Sequence, residues 1–369
     1  MNGFEPRRLL ITGGAGFIGS NLTRRLLAAG GEGAGLEKIV VIDALTYAGH
    51  MANLDGVTGD PRLEFVHADI CDRAAVERVL GDQAIDTIFH LAAESHVDRS
   101  IVAADAFVRT NVTGTFTLLE AARRAWDGRF DATRFVHVST DEVYGALGET
   151  GEFTEQTPYA PNSPYAASKA SSDLLARSYF RTHGLPVVIT NCCNNYGPYQ
   201  LPEKLLPLMI ANAVEGKPLP VYGQGKQVRE WLHVDDHCAG LWRAMTLGTL
   251  GESYNFGSGE EMSNLRLVEL LADIIDDEMK RARGTTRALI KFVVDRKGHD
   301  FRYAIDSSKA RRALRWERSQ RLDVKLADTV RWYLANTAWR QAVASEEHQR
   351  FQAAYYADVP SGASRSSAP

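Results

Sequence analysis

The sequence predicts an α/β protein, a doubly wound parallel sheet joined to a smaller, mixed C-terminal lobe. The first observation is that short apolar runs alternate with helical-period segments through the first 200 residues, as in parallel sheets with helices on both faces. The second is that these runs are apolar almost without interruption, which is typical of strands buried on both sides. The third is the length, since 369 residues are enough for two lobes of roughly 100 to 200 residues each.

The predicted elements follow one another in chain order. The strand RLLITG leads into a helix from Ser20 to Ala29, and the loop AGGEGAG then connects to the strand KIVVID. RLEFVHAD and TIFHLA are further strands, with the helical segment DRAAVERVL between them. The helical TGTFTLLEAARRAW precedes the strand RFVHVST, and Pro164 suits the first turn of the helix SPYAASKASSD. LPVVITN is the next strand, and LRLVELLADIIDDEMKRAR is a later helix.

The same pattern divides the chain into domains. Residues 1–199 are expected to form the sheet domain, with a later return to it near 234–257. In 200–357 the alternation loosens and prolines surround one helical stretch, which favours a smaller lobe over the strand ends, where ligands of open α/β sheets bind. Residues 358–369 include SGASRSSAP and are expected to be disordered.

Composition excludes several classes of protein. With 42 basic and 46 acidic residues and a net charge of -4, the chain lacks the positive field that nucleic acid or an anionic membrane attracts. It has no apolar run of the roughly 20 residues that span a bilayer, and its first residues lack the apolar core of a signal peptide. Its four cysteines have no CxxC or zinc spacing, so we expect reduced thiols and no metal site. We therefore expect a soluble, cytoplasmic protein.

A glycine-rich turn predicts a dinucleotide site. ITGGAGFIGS, residues 11–20, places Gly13, Gly14, Gly16 and Gly19 between an apolar strand and a helix. Glycine lets the backbone approach a pyrophosphate, whose charge the N-terminus of the helix stabilises. The alternative is a tight turn without a ligand.

The ends of the next strands extend this site. Asp43 ends the second strand, where a carboxylate accepts hydrogen bonds from a ribose 2'-hydroxyl and repels a 2'-phosphate, so NAD is favoured over NADP. The next residue is Ala44, so no basic side chain stands beside Asp43, which also favours NAD. The alternative role for Asp43 is a helix cap. Asp69 and Ile70 follow the third strand and are candidates to bracket the adenine. After the fourth strand comes a segment that allows close approach of a cofactor, Leu91, Ala92 and Ala93.

Four side chains form a candidate catalytic group. Tyr165 and Lys169 lie four apart, so they share one face of a helix. The cation and a positively charged nicotinamide both favour the phenolate and would lower its pKa from near 10, making Tyr165 a general base. Asp141 and Glu142 follow the strand RFVHVST, where catalytic groups collect and two carboxyl groups can divide acid and base roles. The alternative is that this acid pair caps the next turn.

The two hydroxyl residues at the end of that strand complete the group. Ser139 and Thr140 are both candidates to hydrogen-bond the reacting hydroxyl of a substrate.

These motifs resemble the extended short-chain dehydrogenase/reductases, and among them the dTDP-glucose 4,6-dehydratases. The matching stretches include TGGAGFIGSN, DALTYAG, HLAAESHVDRSI, STDEVYG, SPYAASKASSD, NNYGPYQLPEKLLP, YGQGKQVREWLHVDDH and DRKGHDFRYAID. They cover roughly residues 8 to 357 and imply a Rossmann-type domain. STDEVYG together with NNYGPYQLPEKL separates these dehydratases from sugar-nucleotide epimerases, which lack the Asp-Glu pair.

The resemblance implies a three-step reaction with bound NAD. Tyr165 removes the proton of the glucose 4-hydroxyl while C4 is oxidised, with Thr140 orienting that oxygen and Lys169 supporting the phenolate. Glu142 then takes the C5 proton and Asp141 protonates the departing C6 hydroxyl. Hydride returns to C6, which gives a 4-keto-6-deoxy sugar nucleotide.

The resemblance also implies binding residues and a homodimer. The residues expected to contact NAD are Gly13, Gly16, Phe17, Ile18, Gly19, Asp43, Ala44, Leu45, Thr46, Asp69, Ile70, Leu91, Ala92, Ala93, Thr110, Tyr165, Lys169 and Asn195. The residues expected to contact the nucleotide sugar are Ser95, Thr140, Asn194, Lys204, Leu205, Pro220, Tyr222, Arg229, Asn264, Arg296, His299 and Tyr356. Of these, Lys204, Arg229, Arg296 and His299 are expected to gather in one pocket and supply the positive charge that a pyrophosphate needs. The apolar helices FTLLEAA and SSDLLARSYF are candidates for the dimer contact.

Some residues depart from the family pattern, and two other functions stay open. Most members have Lys where this chain has Ala44, commonly Ser where it has Cys193, and GSGEEMSN replaces a more usual segment before Asn264. Plant enzymes that act on UDP-glucose share the PEKL segment. The resemblance therefore favours thymine over uracil as the base of the substrate but does not decide between them. The other functions are an epimerase or decarboxylase of the same superfamily and a catalytically silent NAD-binding sensor or scaffold.

Overall fold

A seven-stranded parallel sheet is the largest element of the protein. The computed structural model describes residues 3–295 and 299–343. In these ranges the strands are β1 (Arg8–Thr12), β2 (Lys38–Asp43), β3 (Leu63–His67), β4 (Thr87–His90), β5 (Arg134–Thr140), β6 (Val187–Cys192), β7 (Asn194–Tyr196), β8 (Leu219–Tyr222), β9 (Val228–His233), β10 (Ser253–Phe256), β11 (Glu261–Ser263) and β12 (Ile290–Val293). The large sheet has the order β10-β6-β5-β4-β1-β2-β3, which confirms the predicted fold class.

The helices cover both faces of this sheet and build the second lobe. Their bounds are α1 (Phe17–Leu27), α2 (Arg73–Asp82), α3 (Val97–Val102), α4 (Ala104–Phe107), α5 (Thr115–Ala125), α6 (Pro164–His183), α7 (Leu205–Glu215), α8 (Val234–Leu247), α9 (Asn264–Glu278), α10 (Ser308–Leu314), α11 (Leu322–Ala335) and α12 (Thr337–Val343). A π-helical turn, Val108–Gly114, joins α4 to α5. No helix in the described ranges is long and apolar enough to cross a membrane.

Strand β1 shows why the strands are almost continuously apolar. Leu10 packs into the core that α2 and α5 cover, whereas Leu9 and Ile11 pack into the core that α1 and α8 cover. Successive side chains of a strand point to opposite faces, so a strand between two helical layers needs apolar residues at every position. Each fully buried aliphatic side chain contributes about 1.5–3 kcal/mol.

The smaller lobe contains two short sheets, β11-β9-β7 and β12-β8, beside helices α7, α9 and α11. Its core is separate from those of the large sheet and includes Leu206, Leu267 and Tyr333. Strand β10 follows β7, β8 and β9 in sequence yet pairs with β6 at the edge of the large sheet. The chain therefore returns to the first lobe, while the domain limits at residues 199 and 357 stay a prediction. The segment 358–369, expected to be disordered, lies outside the described residues.

Parallel register brings several strand ends together. Thr12 pairs with His90, His90 pairs with His137, and Thr140 pairs with Cys192. The loops that follow β1, β4, β5 and β6 therefore leave the sheet at one edge, which is where a ligand site is expected in open α/β sheets.

Candidate active site

A cavity of about 620 Å³ opens at this edge of the sheet. Its walls come from the segments after β1 to β6 and from α6, and they include most of the residues predicted for the site. These are Gly13, Gly16, Phe17, Ile18, Gly19, Asp43, Ala44, Thr46, Asp69, Ile70, Leu91, Ala92, Ala93, Ser95, Thr110, Thr140, Asp141, Glu142, Tyr165, Lys169, Asn194, Asn195 and Lys204. The structure thus brings together residues that are up to 191 positions apart, from Gly13 to Lys204.

The glycine-rich turn forms a close-packed floor for this cavity. Gly13 has φ +70°, and a Cβ there would lie 2.8 Å from the Cα of Ala92. A Cβ at Gly19 would overlap the carbonyl oxygen of Gly13. Gly16 precedes α1 without a side-chain cap, so the first N–H groups of the helix remain available to an anion. This cradle fits the pyrophosphate of a dinucleotide.

Asp43 is held where a ribose hydroxyl would need it. Its buried carboxylate accepts hydrogen bonds from the backbone N–H groups of Ala15 (3.0 Å) and Leu45 (2.8 Å). Burial raises the pKa of Asp43, and these two bonds oppose the rise. Asp43 therefore organises the turn around the cavity and is not a helix cap. The acid, the glycine cradle and the Oδ1 atom of Asn195, which has no partner among the described residues, together fit NAD.

Leu45 is placed differently from the other residues predicted to contact NAD, and its contact stays a prediction. Leu45 does not line the cavity, because its side chain packs against the core under α1. Its backbone N–H supports Asp43 instead.

Helix α6 positions the predicted base. Ser163 caps it by accepting a hydrogen bond from the N–H of Ala166 (3.1 Å), with Pro164 in the first turn. Tyr165 and Lys169 are both buried against the sheet, and the Nζ atom of Lys169 donates to the carbonyl oxygen of Val138 (2.8 Å). The predicted spacing on one helix face is confirmed.

The predicted fall in the pKa of Tyr165 is not produced by the protein's own groups. Burial raises the pKa of Tyr165 well above its ordinary value, and the carboxylate of Glu142 adds to the rise. A hydrogen bond with Thr140 acts in the opposite direction. Forming the phenolate therefore needs positive charge close to the phenol oxygen, for which the ammonium of Lys169 and a bound nicotinamide are the candidates.

The acid pair lies beside Tyr165. Burial raises the pKa of Asp141 well above its ordinary value, and the charges of Glu142 and Glu230 raise it further. The Oδ1 atom of Asp141 accepts a hydrogen bond from Thr140 (3.3 Å), while its Oδ2 atom has no partner among the described residues. A buried carboxyl group in this setting holds its proton and can act as an acid.

The reading of the acid pair as a cap is wrong, and so is the expected role of Ser139. The short turn Asp141–Tyr144 is capped by Thr140, whose hydroxyl accepts from the N–H of Glu142 (3.3 Å). The hydroxyl of Ser139 donates to Asp173 in the core (2.8 Å). Neighbouring residues of a strand point to opposite sides, so only Thr140 directs its hydroxyl towards Tyr165.

Several residues predicted for the substrate lie outside the cavity. Leu205, Pro220, Tyr222, Arg229, Asn264 and His299 belong to the smaller lobe and do not line it. Arg296 and Tyr356 lie outside the described residues. Pro220 lies on β8, and the backbone N–H of Asn264 at the start of α9 bonds to Gln227. The ring of Tyr222 lies 6.2 Å from that of His299.

The expectation of one positively charged pocket stays a prediction, and the described residues of that set lie as follows. Lys204 lines the cavity and donates to the carbonyl oxygen of Ser95 (3.1 Å). The guanidinium of Arg229 instead donates to the carbonyl oxygens of Val228 (2.8 Å) and Asp300 (2.9 Å). His299 contacts Asp295 at 2.6 Å. The positive groups are therefore divided between the cavity and the smaller lobe, although the charge of Arg229 still lowers the pKa of Asp141.

Sequence reasoning missed several residues of the cavity wall. Tyr47, Glu94, Arg109 and Glu203 all line it, and Arg109 forms an ion pair with Asp69 at 2.6 Å. Tyr47, Glu94 and Glu203 lie within the matching stretches DALTYAG, HLAAES and LPEKL, which is the signal that could have found them. Arg109 has no such signal, because its position depends on how the π-helical turn packs.

Comparison with known proteins agrees with this geometry. The family model described as GDP-mannose 4,6 dehydratase matches residues 10–329. The dTDP-glucose 4,6-dehydratase of Neisseria meningitidis is 50% identical over 345 residues, which are 91% of this chain and 96% of that protein. The dTDP-glucose 4,6-dehydratase 1 of Escherichia coli is 47% identical over 93% of this chain and 97% of that protein.

Solved structures give the same result. A dTDP-glucose 4,6-dehydratase of Streptomyces venezuelae, solved with NAD bound, is 50% identical and has a TM-score of 0.84 over 91% of this chain and 99% of that chain. A UDP-glucose 4-epimerase of Thermotoga maritima, with a TM-score of 0.78 over 89% of this chain and 99% of that chain, is only 26% identical. The chain therefore belongs to the dTDP-glucose 4,6-dehydratase family.

Proposed function

We propose that this protein is an NAD-dependent hydro-lyase that converts dTDP-glucose to dTDP-4-keto-6-deoxyglucose and water. The observation that carries this function is the meeting of two pairs, Tyr165 with Lys169 and Asp141 with Glu142, at the wall of one cavity. The first pair suits alcohol oxidation, and the second suits elimination of water.

The oxidation step uses the first pair. Tyr165 takes the proton of the sugar 4-hydroxyl, and Thr140, which bonds to Tyr165, orients the reacting oxygen. Lys169 supplies positive charge from the same helix face. When bound, NAD would supply the hydride acceptor for oxidation at C4 and the hydride donor for reduction at C6. The glycine turn at Gly13 to Gly19 would hold its pyrophosphate, and Asp43 would hold its ribose.

The elimination step uses the acid pair. A ketone at C4 makes the C5 proton acidic, and Glu142 removes that proton. Asp141 gives its proton to the departing 6-hydroxyl, which suits a carboxyl group whose pKa is raised by burial. Glu142 then returns a proton to C5. The order of these transfers requires that the two carboxyl groups start in different protonation states.

The nucleotide part of the substrate is assigned to the smaller lobe. Lys204 in the cavity wall and Arg229 and His299 beyond it are proposed to meet the pyrophosphate, together with Tyr222 and Asn264 around the base. The names of the relatives favour thymidine over uridine.

We also propose a homodimer in the cytoplasm. Five large apolar side chains are exposed on the packed helices of one face, namely Ile101, Val102, Val108, Phe116 and Leu174. Val102 is 76% exposed and Leu174 is 59% exposed. A patch of this kind is typical of a protein–protein interface, and it extends over the two helices predicted for the dimer. The four cysteines are unpaired thiols, which suits a reducing compartment.

A substrate panel tests the proposed reaction. Purified protein is incubated with dTDP-, UDP-, GDP- and CDP-glucose, and the alkaline absorbance of a 4-keto-6-deoxy product is followed. We expect product with dTDP-glucose above the others. An epimerase would instead give a galactose epimer, and a silent NAD-binding protein would give no product with any member. Either result would exclude the dehydratase.

A further inference from the structure

A buried carboxylate lies one helical turn beyond the catalytic lysine. Asp173 on α6 is 1% exposed. It accepts hydrogen bonds from His137 (2.9 Å), Ser139 (2.8 Å), Tyr159 (3.0 Å) and Asn191 (3.4 Å). Each of these groups can donate, and a protonated acid would need an acceptor as well. In all four contacts, the carboxyl group of Asp173 acts as the acceptor.

The histidine in this network is neutral. Ser172 donates its single hydroxyl hydrogen to the carbonyl oxygen of Lys169 (2.7 Å), so its 3.3 Å contact with the Nε2 atom of His137 needs the ring to donate. The ring hydrogen is thus on Nε2, which also faces Asp173. The Nδ1 atom of His137 has no partner among the described residues. A neutral ring leaves the charge of Asp173 without compensation from this side.

Lys169 is a cation one helical turn before Asp173, although the two side chains form no direct ion pair in the described structure. The two residues are four apart on one helix, so their Cβ atoms lie about 6 Å apart. The ammonium of Lys169 donates to a carbonyl oxygen, which is neutral, in a site that is 5% exposed. Burial lowers the pKa of Lys169, and the charge of Asp173 is the largest opposing cause.

Other titratable groups lie near this pair or on the elements packed against α6. The strands contribute His90, His137 and Cys192. The segment between β5 and α6 contributes Asp141, Glu142, Tyr144 and Tyr159, and α6 itself contributes Tyr165. The helices packed on α6 bring Asp98, Arg99, Asp105 and Glu120. Asp173 raises the pKa of Lys169 more than Cys192 does. Burial also raises the pKa of Cys192 itself.

We propose that Asp173 is a positioning residue for the oxidation step, whose carboxylate keeps the buried Lys169 ammonium charged so that Lys169 can stabilise the Tyr165 phenolate. This inference rests on the proposed function. Asp173 touches neither the substrate nor the cofactor cavity. It acts through Lys169, and Ser139 anchors it to the strand that also carries Thr140.

The pH profile of turnover tests this role. Turnover needs Tyr165 ionised and Lys169 protonated, so the alkaline limb of the profile reports loss of the lysine charge. In Asp173→Asn that limb should move towards neutral pH by about 1 to 2 units, while the acid limb stays in place. A residue with a merely structural role would lower the whole profile without moving either limb, and that result would overturn the proposal.

Tyr159→Phe is the matched control. It removes one hydrogen-bond donor from Asp173 and leaves the carboxylate in place. Its alkaline limb should coincide with that of the wild-type protein. A shift equal to that of Asp173→Asn would overturn the proposal, because it would trace the effect to the hydrogen-bond network and not to the charge.

Thermal unfolding provides a second test that does not need activity. Lys169→Met leaves the Asp173 carboxylate buried without the nearby cation, which is destabilising. Asp173→Asn disturbs the same hydrogen bonds in either background, so it should lower the unfolding temperature of Lys169→Met by less than it lowers that of the wild-type protein. An equal or larger fall in the Lys169→Met background would contradict the proposed charge pairing.

The outcomes separate this inference from the proposed function. A wild-type protein that forms no product would refute the function and would leave the unfolding test of the charge pair in force. A wild-type protein that forms product, with an unmoved alkaline limb in Asp173→Asn, would refute the role of Asp173 alone.

Discussion

Replacing Asp141 by Asn should separate oxidation from elimination. Asn has the shape of a protonated Asp but cannot donate an acidic proton to the 6-hydroxyl. The Oδ1 atom of either residue can accept the hydrogen bond from Thr140, and the second polar atom takes the position of the Oδ2 atom, which has no partner among the described residues. The substitution therefore removes a proton donor with little change in contacts.

The expected loss is that of a general acid, about 10²- to 10⁴-fold in product formation. Folding stability should not fall. Because burial raises the pKa of Asp141, ionisation of this group favours the unfolded state once the pH exceeds its unfolded pKa near 4. Each unit of that rise costs about 1.4 kcal/mol, and Asn removes the cost. At pH 7 the variant should unfold at or above the temperature of the wild-type protein.

The assay follows two signals after dTDP-glucose is added to Asp141→Asn. Absorbance of the reduced nicotinamide should accumulate, since C4 oxidation continues, while the alkaline absorbance of the 4-keto-6-deoxy product should rise slowly. Product formation at a rate near that of the wild-type protein would refute the assignment of Asp141 as the acid. A variant that fails to reduce the cofactor would refute the separation of the two steps.

Three further changes have distinct expected results. Tyr165→Phe should lower turnover by about 10²- to 10⁴-fold and change the free energy of unfolding by only about 1 kcal/mol, and a near-native rate would remove Tyr165 as the base. Gly19→Ala should abolish retention of NAD, measured as cofactor bound after gel filtration, because a Cβ would overlap the carbonyl oxygen of Gly13. Gly35→Ala is the control and should retain NAD, since no heavy atom lies within 4 Å of its added Cβ. Burial raises the pKa of Glu230 to about 7, so the folded state holds this proton more tightly than the unfolded state. As the pH rises from 4.5 to 7, the wild-type protein should lose up to about 3 kcal/mol of unfolding free energy relative to Glu230→Gln, and parallel stability curves for the two proteins would contradict this.

Residues 8 to 200 show what a sequence can predict about such a fold. Continuous apolar runs follow from burial on two faces, and the glycine turn, Asp43 and the spacing of Tyr165 and Lys169 are set by local backbone geometry. These features depend on neighbours close in sequence, or on the rule that parallel strands end at one edge. They could therefore be predicted without knowing the packing.

Other features of the site depend on contacts between distant segments. Whether the hydroxyl of Ser139 or that of Thr140 points towards Tyr165 is decided by the alternation of β5, and the network that holds the Ser139 hydroxyl at Asp173 has no local signal. The same applies to Arg229, whose guanidinium is held by backbone carbonyl oxygens of a segment about 70 residues later. The raised pKa of Tyr165 likewise results from burial by elements that are far apart in the chain.

Transfer of an isotope label tests the central claim most directly. Turnover of dTDP-glucose that carries deuterium at C4 should give a 4-keto-6-deoxy product with that deuterium at C6, located by NMR, because one retained cofactor removes and returns the same hydride. The hydrogen at C5 should come from the solvent through Glu142. Deuterium recovered at C4, as in an epimerase, or lost to the solvent, would contradict oxidation, elimination and hydride return at a single site.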